Sequence, residues 1–186
     1  MRKNLGAKAI LYPMPVLIIG SYDEEGIPNA MNAAWGGISE ETEISICVSD
    51  DHKTTANVLK RGAFTVSIAD KENVVAADYV GIVSGDKVPN KIEKCGWTVV
   101  SSEFVDAPLF EELPMALECK LISYDVATCR LVGEIVNVCA DERILGEDGK
   151  VSLDKFSPIT YDPIHHTYRT LGEVVGKAFS DGKKLK

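Results

Sequence analysis

The sequence has no uninterrupted apolar stretch of about 18 residues, the length that a membrane-spanning helix requires. Its N-terminus is basic, but only residues 13–19 behind it are apolar, and no small-residue cleavage site follows. We therefore expect neither a membrane span nor a signal peptide, and we expect a cytoplasmic protein. At 186 residues the chain is long enough to bury a core, and we expect residues 1–186 to form one domain.

Two nucleotide-binding motifs are also absent. No Gly-x-Gly-x-x-Gly opens a helix, which excludes the dinucleotide site of a doubly wound sheet, and no Gly-x-x-x-x-Gly-Lys-Ser/Thr occurs. Lysine and arginine number 20 against 28 acidic residues, for a net charge of −8 and a pI of about 4.9. Because phosphate backbones are bound by clustered cations, this balance argues against nucleic acid as a partner.

Metal-binding and disulfide signals are equally weak. The five cysteines include no Cys-x-x-Cys pair, and only three histidines are present, none at zinc-site spacing. We interpret the cysteines as reduced thiols. Cys47, Cys119 and Cys139 lie in apolar segments and are expected to pack as small hydrophobic side chains, whereas Cys95 is expected to be the most exposed thiol.

What the sequence does contain is a series of strand patterns. Residues 15–35 read as a hairpin around a turn at Gly26, and Ile44, Ile46 and Val48 alternate with smaller side chains at a period of two. Further strands are predicted at 63–69, 97–105, 115–124 and 130–139. Short helices are predicted within 50–62, within 71–83 and at the end of segment 161–179. Six or seven antiparallel strands with so few helices indicate a mainly β protein, a closed or split barrel.

The start of the helix predicted within 50–62 is a candidate anion site. A helix begins with unpaired N–H groups and the positive end of its dipole, to which this segment adds a lysine and several hydroxyl groups. The residues that we place there are Ser49, Lys53, Thr54 and Thr55. The alternative is an ordinary helix cap, in which Thr54 or Thr55 satisfies backbone donors and nothing binds. Acidic residues at 50 and 51 count against a phosphate.

The strand before this segment suggests a flat ring. Asn29 and Asn32 offer amide donors and acceptors, and the alanines between and after them would let a heterocycle lie close to the backbone. Trp35 has two readings: it packs on the ring or a partner subunit, or it is a core tryptophan.

The order of these segments resembles the family of FMN-binding split-barrel flavin reductases, of the flavoredoxin type. Residues 16–35 are similar to the opening hairpin of that family, and residues 53–66 to its next block. The similarity continues in order through 81–85 with Lys91, 107–108, 117–119 and the C-terminal residues 161–172. No one motif is specific, but the ordered set covers nearly the whole chain.

The resemblance implies a homodimer of six-stranded antiparallel split β-barrels with FMN near the subunit interface. It implies that the isoalloxazine and ribityl are lined by Asn29, Met31, Asn32, Ala33, Ala34 and Trp35. The phosphate end would be held by Ser49, Lys53, Thr54, Thr55 and Asn57. Further cofactor contacts are expected from Ser84, Gly85, Lys91, His166 and Tyr168. For His165 and His166 the alternative is two surface histidines in a loop.

A flavin carries the hard chemistry itself, so no catalytic side chain is assigned. The first hypothesis is an NAD(P)H-dependent FMN oxidoreductase that passes electrons onward, to a redox partner protein or as free reduced FMN. The second is a non-enzymatic electron carrier of flavoredoxin type, without a nicotinamide site. The third is a barrel that binds haem or another phosphorylated cofactor.

Overall fold

The computed structural model describes residues 1–185. Its strands are β1 (Met14–Pro15), β2 (Leu17–Tyr22), β3 (Pro28–Ala33), β4 (Gly36–Glu40), β5 (Glu43–Cys47), β6 (Ala63–Ile68), β7 (Val99–Ser101), β8 (Pro108–Phe110), β9 (Met115–Asp125), β10 (Arg130–Ala140), β11 (Ile159–Asp162) and β12 (Thr167–Thr170). Its α-helices are α1 (Lys53–Arg61), α2 (Val74–Ile82) and α3 (Lys91–Lys94). Two 3-10 helices span Glu142–Ile144 and Asp181–Leu185.

One curled antiparallel sheet dominates the fold, with the strand order β3-β2-β6-β9-β10-β5-β4. It therefore has seven strands rather than the six that the resemblance implied, because residues 36–40 form β4, which pairs with β5 at the edge of the sheet. Two small sheets accompany it, β1-β11-β12 and β7-β8. The mainly β class and the predicted strands at 15–35, 63–69, 115–124 and 130–139 are confirmed.

The strand predicted near residues 97–105 is present but shorter, as β7, which pairs with β8. The short helix predicted at the end of 161–179 is wrong: residues 171–177 have no regular secondary structure and residues 178–180 form a turn, while β11 and β12 form a hairpin that ends at residue 170. Threonine and tyrosine fill that hairpin, and their branched or aromatic side chains favour an extended pleated backbone.

Strand β2, which lies between β3 and β6, is buried on both faces, so its two apolar rows serve two cores. Ile19 packs with Phe64 and Leu131 inside the curl of the sheet. Ile18 packs on the opposite face, against α2 and Trp97. A continuous apolar run, rather than alternation, is what a strand covered on both sides requires.

Helix α1 connects β5 to β6 and positions the predicted anion site. It ends at Gly62, which adopts φ +70 and donates its N–H to the Val58 carbonyl at 2.8 Å, a left-handed C-terminal cap. The sequence of this helix predicts that Val58 and Leu59 both face inward; Val58 is fully buried in the barrel, but Leu59 is 48% exposed. The inward face of α1 consists of Thr54, Thr55, Asn57 and Val58, which are all buried.

The hairpin β11–β12 is fastened to the N-terminal segment through the buried carboxylate of Asp162. Tyr12 donates its hydroxyl to Asp162 Oδ1, and the His165 Nδ1 lies 2.9 Å from Oδ2. These hydrogen bonds, together with backbone N–H donors, hold the pKa of Asp162 well below its usual range. The carboxylate thus ties Tyr12 of the N-terminal segment to the β11–β12 hairpin.

Candidate functional site: a cleft between helix α1 and the end of helix α2

A cleft of about 310 Å³ opens between β3, the start of α1 and the C-terminal end of α2. The loop that follows α2 and the side chain of Lys91 complete its walls. The residues that line it are Asn29, Met31, Asn32, Asp51, His52, Lys53, Thr54, Val80, Gly81, Ile82, Val83, Ser84, Gly85 and Lys91.

The cleft brings together eight of the predicted cofactor residues from four separate parts of the chain. These are Asn29, Met31, Asn32, Lys53, Thr54, Ser84, Gly85 and Lys91. Eight others do not line it, namely Ala33, Ala34, Trp35, Ser49, Thr55, Asn57, His166 and Tyr168. The lining also includes His52 and the residues 80 and 82–83, which sequence reasoning did not assign to a cofactor. His52 lies in the loop before α1, and residues 80 and 82 lie in the last turn of the apolar helix α2. Neither position has a sequence pattern that indicates contact with a ligand.

Asn29 presents an unsatisfied polar atom to this cleft. Its side chain is 3% exposed, and its Nδ2 donates to Thr54 Oγ1 at 2.8 Å. Its Oδ1 is buried and has no hydrogen-bond partner in the described part of the chain. A Cβ on Gly85 would lie 2.5 Å from that oxygen, so only glycine leaves the space open. Since buried polar atoms are nearly always bonded, the orphaned oxygen fits a donor on an absent ligand.

Lys53 extends from the first turn of α1 into the same cleft. Its Nζ lies 3.2 Å from Asp23 Oδ2 and 3.8 Å from Asp86 Oδ1. Burial alone would raise the pKa of Asp23, but the hydrogen bond from the Ile27 N–H and the Lys53 ammonium hold it below its usual range. The lysine is thus balanced by carboxylates that stand beside the cleft.

The start of α1 is not capped by a side chain. Within residues 1–185 no side-chain oxygen accepts from its first-turn N–H groups, so the side-chain cap of the alternative reading is not formed. The Thr54 hydroxyl accepts from Asn29, and Thr55 donates its hydroxyl to the Ser49 carbonyl at 2.6 Å. Asn57 points the other way and donates to Ser21 Oγ at 3.1 Å. The helix start therefore keeps donors available beside Lys53, which suits an anion.

A second cation lies at the inner wall. Lys91 is 3% exposed, and its Nζ donates to the carbonyls of Val83 at 2.9 Å and Val80 at 3.4 Å. Burial lowers the pKa of Lys91 to about 8. The last turn of α2 and the following loop thus hold this ammonium in place without a carboxylate hydrogen bond.

The C-terminal hairpin braces the outer side of α2, next to the cleft. Tyr168 donates its hydroxyl to Asp78 at 2.7 Å, and Asn32 donates its Nδ2 to the Ala77 carbonyl at 2.9 Å. Burial and the Asp78 carboxylate raise the pKa of Tyr168. His166 is exposed, at φ +53, and its Nδ1 lies 2.7 Å from the Tyr161 hydroxyl. A cofactor contact for His166 or Tyr168 stays a prediction.

Two further expectations concern the exposure of single side chains. Trp35 is 59% exposed, so its reading as a core tryptophan is wrong. Cys47 is the exposed thiol, whereas Cys95 is half-buried, because Cys47 ends an edge-side strand and Cys95 packs under α2. Within residues 1–185 no cluster of three or more potential metal-binding side chains occurs, and no helix is long and apolar enough to cross a membrane.

Comparison with known proteins identifies the class. The model of the flavin reductase like domain family matches residues 9–169. The chain therefore belongs to the flavin reductase-like family. Within that family it is similar to the flavoredoxin of Desulfovibrio vulgaris (Miyazaki F), with 40% identity over 98% of this chain and 100% of that one, and a TM-score of 0.93.

Two more distant structures share the fold. An FMN-binding domain of a flavin reductase-like enzyme from Shewanella baltica has 20% identity over 88% of this chain and 89% of that one, with a TM-score of 0.78. A split-barrel protein from Shewanella frigidimarina has 18% identity over 90% and 86%, also with a TM-score of 0.78. The curled sheet of this chain is accordingly a split barrel.

Proposed function

We propose that this chain is an FMN-binding flavoprotein, a single flavin reductase-like domain that accepts electrons from NAD(P)H and passes them on. The observation that carries the proposal is the cleft, in which the orphaned Asn29 oxygen, two lysines and an uncapped helix start face the same space. Family membership supports FMN as the ligand, as does the FMN-binding domain that shares the fold.

The residues present fit the groups of FMN. Lys53 and the start of α1 offer charge and N–H donors for a phosphate monoester, and Asn29 and Asn32 offer amides for polar edges of the flavin. Bound FMN would supply the hydride- and electron-transfer chemistry. The protein would bind and orient it and limit its contact with water, since the cleft is closed on one side by β3 and on another by α2. No side chain is assigned as a catalytic acid or nucleophile.

The test is reduction of the FMN-loaded protein by NADH and by NADPH, followed at 450 nm in a stopped-flow instrument without oxygen. An NAD(P)H oxidoreductase should be bleached within seconds by at least one donor. FMN that binds but is not reduced by either would favour the second candidate, an electron carrier, which the 40% identity to a flavoredoxin supports. Protein that takes up no FMN at micromolar concentration would contradict both.

We also propose that the chain works as a homodimer. Its accessible surface is 11,604 Å², whereas a folded monomer of 20.2 kDa exposes about 8,800 Å². Part of the excess is apolar, and it includes Trp35 and Ile38 beside the unpaired edge of β4.

Light scattering should give about twice the 20.2 kDa mass of one chain. The double variant Trp35→Ser, Ile38→Ser should shift the mass toward the monomer. A monomeric native protein would refute the proposal.

A further inference from the structure

Residues 172–185, which we call the C-terminal arm, stand away from the rest of the protein. Every one of them is exposed, and within residues 1–185 none of them hydrogen-bonds to a residue outside the arm. The arm nevertheless contains Val174, Val175 and Phe179, which are 91%, 94% and 100% exposed. A single exposed apolar side chain is ordinary, but several fully exposed ones on one segment mark an interaction site.

Phe179 is held in a turn that the arm forms by itself. The Lys177 carbonyl accepts the N–H groups of Ser180 at 3.3 Å and Asp181 at 3.1 Å, and the Asp181 carboxylate accepts the Lys177 N–H at 2.8 Å. Phe179 adopts φ +59, a left-handed conformation that is costly for a bulky residue and persists where surrounding contacts hold it. Within residues 1–185 its fully exposed ring has no such contact, so the turn presents the ring to another surface.

A groove of about 470 Å³ between α2 and the end of α3 is a matching surface, which we call the α2 groove. Among the residues that line it are Val75, Ala76, Tyr79 and Cys95. Asp78 is the only charged residue of α2, and a helix that is apolar all round is normally buried, yet Val75 is 80% exposed. Because an apolar cavity of about 150 Å³ holds a benzene molecule, the α2 groove has room for a phenylalanine ring.

The root of the arm lies beside the α2 groove of its own chain. Leu171 and Gly172 line a depression together with Lys71, and the next residue, Glu72, lines the groove. The seven residues from Gly172 to Phe179 span at most about 25 Å when extended. In a two-fold symmetric pair that packs this face against itself, each arm begins near the axis and reaches the groove of the other copy. Such a contact is self-complementary, as a symmetric dimer requires.

Charge and surface area favour a second copy as the occupant. Residues 172–186 carry four lysines and two carboxylates, and the whole chain has a net charge of −8, so residues 1–171 carry −10. A basic arm is therefore attracted to the acidic body of another copy. The accessible surface of 11,604 Å² is about 2,800 Å² larger than a folded monomer of this mass exposes. That excess is ample for a specific interface, which buries about 1,200–2,000 Å² in total.

We propose that the C-terminal arm is exchanged between two copies of this chain, with the Phe179 ring of each copy seated in the α2 groove of the other. The proposal rests on the homodimer proposed above. It adds the segment and the groove that hold the two copies together.

The direct test is photo-crosslinking of the whole chain with p-benzoylphenylalanine in place of Phe179. We expect a covalent dimer on a denaturing gel, in which position 179 is joined to a peptide that contains residues 72–82 or 94–95. Crosslinks within one chain only, crosslinks to a different surface, or no crosslink in a protein that light scattering shows to be dimeric would each overturn the arm exchange.

Variants measure what the contact contributes. Phe179→Asn removes the ring and keeps a residue that tolerates positive φ, and it should raise the dissociation constant of the dimer at least about tenfold, because buried aromatic anchors dominate interfaces. Val75→Glu places a charge in the groove and should act similarly. The double variant should weaken the dimer no more than the stronger single change, since both remove one contact. Val126→Asn alters a 62% exposed apolar residue in the β9–β10 turn and should dimerise as the native protein does.

The outcomes separate the two proposals. Both substituted side chains are exposed in the single chain, so circular dichroism should show an unchanged fold for each variant. A native protein that is monomeric refutes the homodimer itself. A native dimer that Phe179→Asn and Val75→Glu leave as stable as before refutes the arm exchange alone.

Discussion

Replacing Gly85 by valine should abolish FMN binding and leave the fold intact. A Cβ at this buried position would lie 2.5 Å from Asn29 Oδ1 and 3.2 Å from Lys53 Cδ, and valine adds two methyl groups to it. Both neighbours belong to the cleft, and neither can retreat easily, because Asn29 is held by Thr54 and Lys53 by Asp23. Fluorescence quenching of FMN during titration with the protein measures the binding directly.

The control for this prediction is Gly172→Val. A Cβ at Gly172 meets no atom within 4 Å, and its φ does not require glycine. This variant should bind FMN as the native protein does. Circular dichroism should show the same β signal for both variants. An unchanged dissociation constant in a folded Gly85→Val protein would mean that the cleft is not the flavin site.

Replacing Lys53 by methionine should raise the dissociation constant for FMN about 10- to 150-fold, since a charge-assisted hydrogen bond contributes about 1.5–3 kcal/mol. Methionine keeps most of the aliphatic stem and removes only the ammonium. Riboflavin affinity should change much less, because that ligand has no phosphate. The comparison of the two ligands separates loss of the phosphate contact from a general disturbance of the cleft.

Lys60→Met is the matched control on the same helix. Its ammonium pairs with Glu24 at 3.2 Å on the exposed side of α1, away from the cleft. Such surface pairs contribute little, so neither ligand should bind differently. The phosphate assignment is wrong if Lys53→Met leaves FMN affinity unchanged, or if it weakens riboflavin binding to the same extent.

Sequence patterns predicted the structure correctly where that structure depends on residues close together in the chain. The alternation of apolar and small side chains around Ile46 predicted β5. Gly62 marked the end of α1, because glycine readily adopts the left-handed conformation that the chain takes at this position. The lysine and hydroxyl groups at the start of α1 marked a candidate anion site. The sequence did not predict the hydrogen-bond partner of each hydroxyl group. Thr55 donates to the Ser49 carbonyl, while Thr54 accepts from Asn29 on β3.

The sequence by itself determined the mainly β class, the ends of α1 and the presence of Lys53 at its start, since period, capping and charge are local properties. Resemblance to a family added the FMN expectation. The resemblance also implied that Gly85 and Lys91 contact the cofactor, but only the tertiary structure separated the eight expected residues that line the cleft from the eight that do not. The tertiary structure also decided that Trp35 is exposed. The make-up of the cleft depends on how α2 and the loop after it pack against β3. Packing between segments that are distant in the chain produces no periodic pattern in the sequence of either segment.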